Sequence, residues 1–373
     1  MKILHLDPDD IDNPLSGGGP VRTLEIYRRL AKRHEITVLT PTFPGSTPEL
    51  YRDGIRYVRL GRKIRNHGSS HHITFLAALP AAVRNFEYDL LVEDFMPPCS
   101  ATWTPLFRRK DKPMVASVQW FSARDYTKKL KLPFHWGEEY GVRLYDNFVV
   151  MTQAMRERIE RRHRGARCHV IGNGVDGTLF NVTSRPGQGI LYLGRLEVGT
   201  KGLDLLLSAY AKIPLSDRQP LTLAGTLQEE AEVRRLVQDH GLTDWVRITG
   251  PFDATRRSEL LASCRFVVMP SRTETFGMTI AEANAAARQV VVWDQAPMNE
   301  VASPGSPRVK PFDVGAYALA MRELLCMPLD ALAGLGEASR EHARRWDWNA
   351  VAASQEAFYY DAMESHGRRN GRS

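Results

Sequence analysis

The sequence predicts an α/β protein of two doubly wound domains, and three observations carry that prediction. Its 373 residues exceed the roughly 250–300 at which a single core stops growing. Short apolar runs alternate with stretches of helical period, the pattern of a parallel sheet covered by helices. The alternation occurs twice, in two series of similar size with no long linker between them. Composition agrees: 43% hydrophobic and 25% charged residues, with 28 Gly and 22 Pro, describe a folded chain and exclude disorder, collagen and coiled coil as the main architecture.

The first series opens with the apolar run Lys2–Leu6 and a loop over Asp7–Pro20 rich in Asp, Pro and Gly. Val21–Arg33 places Leu24, Tyr27, Leu30 and Ala31 at helical spacing, and Glu35–Thr40 is apolar at Ile36, Val38 and Leu39 before Pro41. This is a β-α-β unit. Further strands are expected at Ile55–Leu60, Tyr88–Val92, Met114–Val118, Asn147–Met151 and Cys168–Ile171, and a basic loop at Gly61–His72. The second series reads as strand at Ile190–Leu193, helix at Leu203–Lys212 and strand at Leu221–Ala224. Helix at Glu229–His240, strand at Val246–Thr249, helix at Arg256–Ser263 and strand at Phe266–Met269 follow, then helix at Thr279–Ala287 and strand at Val290–Trp293. The boundary is expected near Gly172–Ser184, and the domains are set at 1–170 and 171–349, with a last helix in 350–373 returning to the first.

No apolar run approaches the roughly 20 residues that span a bilayer, and the first residues turn acidic at Asp7, unlike a secretory signal. Cys99, Cys168, Cys264 and Cys326 are far apart, so neither a zinc site nor a disulfide framework is indicated. A reduced cytoplasmic protein is expected, with no metal and no cofactor. Charge is uneven: residues 1–168 hold 28 Lys+Arg against 19 Asp+Glu, the remainder 22 against 24. The basic half would meet an anionic membrane surface, an anionic acceptor or nucleic acid; solvated helix faces are the plainer reading. Nucleic acid is not expected, because interleaved surface aromatics and a binding motif are missing.

Three stretches carry chemistry. Gly17-Gly18-Gly19 precedes the first helix, where backbone amides can approach an anion closely. After the strand ending at Leu193, Gly194, Arg195, Lys201 and Gly202 form a loop with two cations at the carboxyl end of a parallel strand. Arg by its fork and Lys as a point charge suit a diphosphate there. Finally, Arg272-Thr273-Glu274-Thr275-Phe276-Gly277-Met278-Thr279-Ile280-Ala281-Glu282 follows the strand Phe266–Met269. Glu274 falls in the loop, the helix begins near Phe276–Gly277, and Glu282 sits on a helix otherwise of small and apolar residues. A carboxylate there needs a partner, either a sugar diol or a neighbouring Arg.

The two glutamates with seven residues between them, in Glu274-Thr-Phe-Gly-Met-Thr-Ile-Ala-Glu282, resemble the signature of retaining nucleotide-sugar glycosyltransferases of family four. Asn173-Gly174-Val175-Asp176, Gly194-Arg195, Lys201-Gly202 and Trp346-Asp347-Trp348 match in the same order. The resemblance implies two Rossmann-like domains facing across a cleft, the GT-B fold. It implies transfer of a hexose, without a metal, from a UDP-sugar in the first place or a GDP-sugar in the second, to a hydroxyl of a small-molecule, glycan or lipid-linked acceptor. Arg195 and Lys201 would bind the diphosphate, Glu282 the ribose and Glu274 the donor sugar; these cations and Glu274 form the catalytic set. Thr275 and the amides of Phe276, Gly277 and Met278 would cradle phosphate and sugar. The base would lie against Gly250 and Phe252, and Gly17, Gly18, Gly19 and Gly194 would complete the donor site.

The chain departs from the pattern in two places. Ala287 and Gln289 stand where relatives carry Gly and Pro, which alters a turn. A first-domain histidine has no counterpart in Ala116-Ser117-Val118-Gln119-Trp120; Gln119 offers a neutral hydrogen bond instead, and Glu93 and Asp94 are expected on the acceptor side. An epimerase of the same fold is the alternative, and a non-enzymatic nucleic-acid-binding protein a more distant one. Asp7-Pro8-Asp9-Asp10 reads as loop, not as a metal site.

Overall fold

The computed structural model describes Met1 to Gly371 except residues 15, 17, 63–69, 98, 101, 122 and 370, and no side chains at 70, 125, 126, 129 and 130. The chain forms two compact units, Met1–Asn173 with Trp348–Ser373, and Gly174–Asp347. Sequence reading set the boundaries at 170/171 and 349/350.

The first unit runs β1 (Lys2–Leu6), α1 (Gly19–Leu30), β2 (Glu35–Pro41), β3 (Glu49–Arg52), β4 (Ile55–Leu60), α2 (Ser70–Asn85) and β5 (Leu90–Asp94). It continues through β6 (Met114–Val118), α3 (Ala123–Leu130), α4 (Phe134–Gly141), β7 (Asn147–Val150), α5 (Gln153–Glu160) and β8 (Arg167–Val170). The strands lie in the order β3-β4-β2-β1-β5-β6-β7-β8, parallel except for β3, which runs against β4. Successive strand residues face opposite sides. Leu4, Leu6 and Leu91 therefore enter one core with Phe75 and Leu79 of α2, while Ile3, Leu90 and Val92 enter another with Ile26 and Tyr27 of α1.

Two readings need correction here. The helix α1 starts at Gly19, not Val21, so Gly19 and Pro20 belong to its first turn; Pro suits that turn because its missing N–H has no partner to lose. Of the basic loop expected over Gly61–His72, residues 63–69 lie outside the described residues, and Ser70, His71 and His72 belong instead to α2, which sets Phe75 and Leu79 one turn apart in the core.

The second unit contains β9 (Ile190–Leu193), α6 (Val198–Lys201), α7 (Leu203–Ala211), β10 (Leu221–Ala224), α8 (Glu230–Asp239), β11 (Val246–Gly250) and α9 (Ala254–Ser263). Then come β12 (Phe266–Met269), α10 (Met278–Ala285), β13 (Val290–Trp293), α11 (Met298–Val301), β14 (Arg308–Val309), α12 (Val314–Cys326) and α13 (Leu329–Ala343). Its sheet is wholly parallel, in the order β11-β10-β9-β12-β13-β14. The chain then returns to the first unit as α14 (Trp348–Arg369), which packs Val351, Phe358, Tyr359 and Ala362 into the core shared with α1. Among the described residues, no helix is long and apolar enough to cross a membrane.

Candidate active site

In the second sheet β9 lies between β10 and β12, so the strand order reverses between β9 and β12. Open α/β sheets take their ligands at the carboxyl ends of such a pair. The segment after β9 carries Arg195 in a loop and then, where the sequence predicts loop throughout, the single turn α6 that ends at Lys201 and Gly202; the loop after β12 carries Ser271 to Gly277. Gly202 lets the two loops meet: its φ is 68°, and a Cβ there would stand 2.2 Å from the carbonyl oxygen of Pro270. Lys201 Nζ consequently donates to Glu274 Oε1 at 2.6 Å, with side chains 15% and 13% exposed. Arg272 ties the same loops together, its fork on both carboxylate oxygens of Asp204 and its Nη1 donating to the carbonyls of Val198 and Gly199. Arg195 stands out toward solvent, 52% exposed, with Glu197 at 3.3 Å.

Gly277, at φ 93°, is the N-cap of α10 and supplies no side chain to satisfy the first amides of the helix. The ring of Phe276 is buried edge-on against Trp346, 5.8 Å between centroids, so that residue offers a ligand its backbone only. Thr275 is exposed, and Met278 is partly buried. Glu282 lies about one turn into α10, and its Oε1 accepts from Arg257 Nη1 of α9 at 2.7 Å; Arg257 also reaches Asp176 at 3.3 Å. Burial pushes the Glu282 carboxyl above its ordinary range, and the Arg257 guanidinium works against that push. The neighbouring Arg that could satisfy Glu282 is thus Arg257. Gly250 ends β11, Phe252 follows it, and both are partly buried. Ala287 takes a left-handed φ of 55°, the turn that a glycine would make without strain.

Gly194 sits beneath this loop pair and touches Gly225, where φ is 154° and a Cβ would come within 1.6 Å of the Gly194 carbonyl oxygen. Gly225→Ala is expected to cost about 2–6 kcal/mol, from about 1–3 for over-packing and about 1–3 for backbone strain. The measurement is the urea midpoint at unchanged denaturant slope; a midpoint equal to that of the parent protein would contradict the close approach.

In the first sheet the reversal lies between β1 and β5, where Asp7, Asp94 and Gln119 gather at or just past the strand ends. Strand alternation separates Glu93 from Asp94. Glu93 turns to the α2 face, is 1% exposed and accepts from the Tyr145 hydroxyl at 2.7 Å. Asp94 is equally buried; what differs is that Glu93 lies on the opposite face of the sheet from Asp94 and Gln119, with which the sequence reading groups it. Asp94 turns to the α1 face with His5: Asp94 Oδ1 meets His5 Nε2 at 3.2 Å, and Oδ2 accepts from Gln119 Nε2 at 2.7 Å. With its amide nitrogen held by Asp94, Gln119 keeps Oε1 beside Gly19, 3.3 Å from where a Cβ would stand. Gly18 faces open space, and Gly17 lies outside the described residues.

His5 Nδ1 and the Tyr27 hydroxyl share a hydrogen bond of 2.8 Å, and Tyr27 meets the Tyr359 hydroxyl at 3.1 Å. Gln355 Nε2 donates to Tyr359, and Gln355 Oε1 accepts from Arg22. Arg22 also donates to the carbonyls of Ile171 and Gly172 and to Asn173 Oδ1, where the chain leaves this unit. Burial brings the Arg22 guanidinium down to about 10. Asp7 accepts from the Asp9 amide and the Thr23 hydroxyl; burial first, then the charge of Asp94, pushes its carboxyl well above the carboxylate range. Ligand atoms of His5, Asp7 and Asp94 lie within 4.8 Å of one another, a spacing that would also suit a metal ion, although each side chain already has hydrogen-bond partners. Sequence reading missed His5, Arg22, Tyr27, Arg257 and Tyr359. For His5 a signal existed: a polar residue inside the apolar run Lys2–Leu6.

Residues 16–178 match the family model described as Glycosyltransferase Family 4, and residues 187–327 the one described as Glycosyl transferases group 1. The D-inositol 3-phosphate glycosyltransferase 2 of Catenulispora acidiphila is 32% identical over 257 residues, 61% of this chain and 59% of the relative. The phosphatidyl-myo-inositol mannosyltransferase of Mycolicibacterium smegmatis is 27% identical over 95% of this chain and 92% of its own. Against four curated relatives, the first of these among them, the matched stretch spans only 48–64% of the relative's length. Sucrose-phosphate synthase from Thermosynechococcus elongatus superposes with a TM-score of 0.75 at 20% identity, covering 98% of this chain and 99% of the other. HepE from Anabaena, solved with UDP and glucose, gives 0.69 at 18% identity over 97% and 100%. Two parallel-sheet α/β units shared with these structures define the glycosyltransferase architecture called GT-B. Within it, the chain belongs to glycosyltransferase family four.

Proposed function

We propose that this protein transfers a hexose, with retention, from a nucleotide-sugar bound by the second unit to a hydroxyl acceptor bound by the first. The observation that carries the reading is the meeting of Lys201 and Glu274 at 2.6 Å, from loops that leave the two strands flanking the sheet reversal. Breaking the anomeric C–O bond leaves a nucleoside diphosphate with added negative charge and an oxocarbenium-like sugar. Arg195, Lys201 and the first amides of α10 would stabilise that charge as it develops. Glu274, with one oxygen held by Lys201, would turn the other to a donor-sugar hydroxyl. The acceptor attacks from the face the diphosphate leaves, and the departing phosphate takes its proton, so these cations do the work a metal would otherwise do.

Glu282 would exchange part of its bond with Arg257 for the ribose hydroxyls, and Gly250 with Phe252 would flank the base. Uridine is the first choice, supported by the neighbour solved with UDP and glucose, and guanosine the second. The acceptor offers a hydroxyl near Asp94 and Gln119. The names of the inositol-phosphate relatives and the basic first half favour an acceptor that is itself anionic, free or carried on a lipid.

The test is a thermal-shift panel of UDP, GDP, dTDP and ADP, followed by mass spectrometry with the matching sugars. UDP is expected to raise the melting temperature most. Four nucleotides without effect would remove the donor assignment. Incubation with donor alone separates transferase from epimerase, since only the latter changes the stereochemistry of the sugar without an acceptor.

A further inference from the structure

The helix α4 is built inside out. Its inner side carries Glu138, 2% exposed, and turns Gly137 and Gly141 onto Pro97, Thr102 and Phe95. Its outer side presents Trp136 and Tyr140, and the same four-residue interval continues to Leu132 before the helix and Leu144 after it, all four between 41% and 58% exposed. A helix bordered by water alone would place its carboxylate outside and its aromatic rings inside. The orientation is held firmly. Glu138 pairs with Arg158, which lies 4.4 Å over the Phe121 ring, and also accepts from the Ala123 amide at 3.0 Å. The Thr127 hydroxyl accepts from the His135 amide at 3.0 Å and bonds its ring at 3.1 Å, pinning α3 to α4.

Charge identifies the occupant. Residues 124–144 hold five Lys+Arg against three acids. Of those acids, Glu138 is buried against Arg158, and Glu139 is paired with Arg124 at 2.9 Å. Lys128, Lys131 and Arg143 are exposed and make no ion pair among the described residues, and Arg143 lies 5.5 Å over the Tyr140 ring. Indole and phenol rings with an apolar body and a polar edge, rimmed by unpaired cations, match the boundary between acyl chains and charged headgroups. We propose that the outer face of α4, with Leu132 and Leu144, docks the protein onto a membrane surface bearing anionic headgroups. This stands on the first unit alone and does not depend on the donor reading.

The full chain is sedimented with vesicles of phosphatidylcholine and with an equal mixture of phosphatidylcholine and phosphatidylglycerol, at rising salt. Binding to the mixed vesicles only, weakening with salt, is expected. Trp136→Ser with Tyr140→Ser should lower the affinity about tenfold or more, and Lys128→Gln with Lys131→Gln about fivefold per charge. All four positions are exposed, so melting temperature and the nucleotide-induced shift should stay at parent values, separating this test from that of the donor site. Equal indifference to both vesicles, or variants that bind like the parent, would overturn the proposal. So would a concentration-dependent dimer in sedimentation velocity that the aromatic double variant abolishes, because the occupant would then be a second copy of the chain.

Discussion

Arg195→Ala is expected to lower turnover about 100–1000-fold, equivalent to about 2.7–4 kcal/mol of barrier, if the guanidinium acts like one preorganised oxyanion donor. Among the described residues, its half-exposed side chain has only the Glu197 carboxylate at 3.3 Å as an ion-pair partner. Stability should therefore hardly change, because exposed pairs contribute about 0–1 kcal/mol. Lys201→Ala should lose a similar factor in turnover and also destabilise the fold, since it leaves Glu274 without the amine 2.6 Å away. If both groups act mainly on the developing diphosphate charge, kcat falls more than KM rises. Steady-state assays of the two variants check this, and near-normal rates for both would sink the assignment of the cations.

Arg257→Ala is expected to destabilise the fold by about 2–4 kcal/mol, toward the lower end of the range for a broken buried pair because both partners keep some exposure. It leaves Glu282 on a helix otherwise mostly of small and apolar residues, with its carboxyl already raised by burial. The sign of the pH dependence follows. A folded-state carboxyl raised above the ordinary 4.5 binds more protons folded than unfolded, so stability falls as pH rises from that value through the folded one. Removing Arg257 takes away the opposing charge and widens this window. Urea midpoints at about pH 4 and about pH 7 should show the variant losing more at the higher pH, and adding Glu282→Ala should recover part of the loss. A pH-independent deficit, or none, would mean that the pair contributes little.

Much of the second unit was legible in the chain itself. The strands Ile190–Leu193, Phe266–Met269 and Val290–Trp293 are buried on both faces, so each reads as an unbroken apolar run, and Leu221–Ala224 is interrupted only by the partly buried Thr222. Glu274, Lys201 and Arg195 could be placed because loops after parallel strands share one end of the sheet. The short pieces β3 and β14, four and two residues long, carry too little periodicity to be seen. Glu93 and Asp94 were read together because they are adjacent in sequence, yet alternation sends them to opposite cores.

Local sequence determined the elements, their order and the polarity of the second-unit loops, because hydrophobic period and Gly or Pro placement act over a few residues. Tertiary structure decided which groups meet across long gaps. Arg257 reaches Glu282 from a different helix, and His5, Asp94 and Gln119 join from three strands. Tyr359 completes the first unit's polar chain from 332 residues beyond Tyr27. Buried polar groups must find partners, but sequence shows only that a partner is needed, and strand order together with helix packing selects which one.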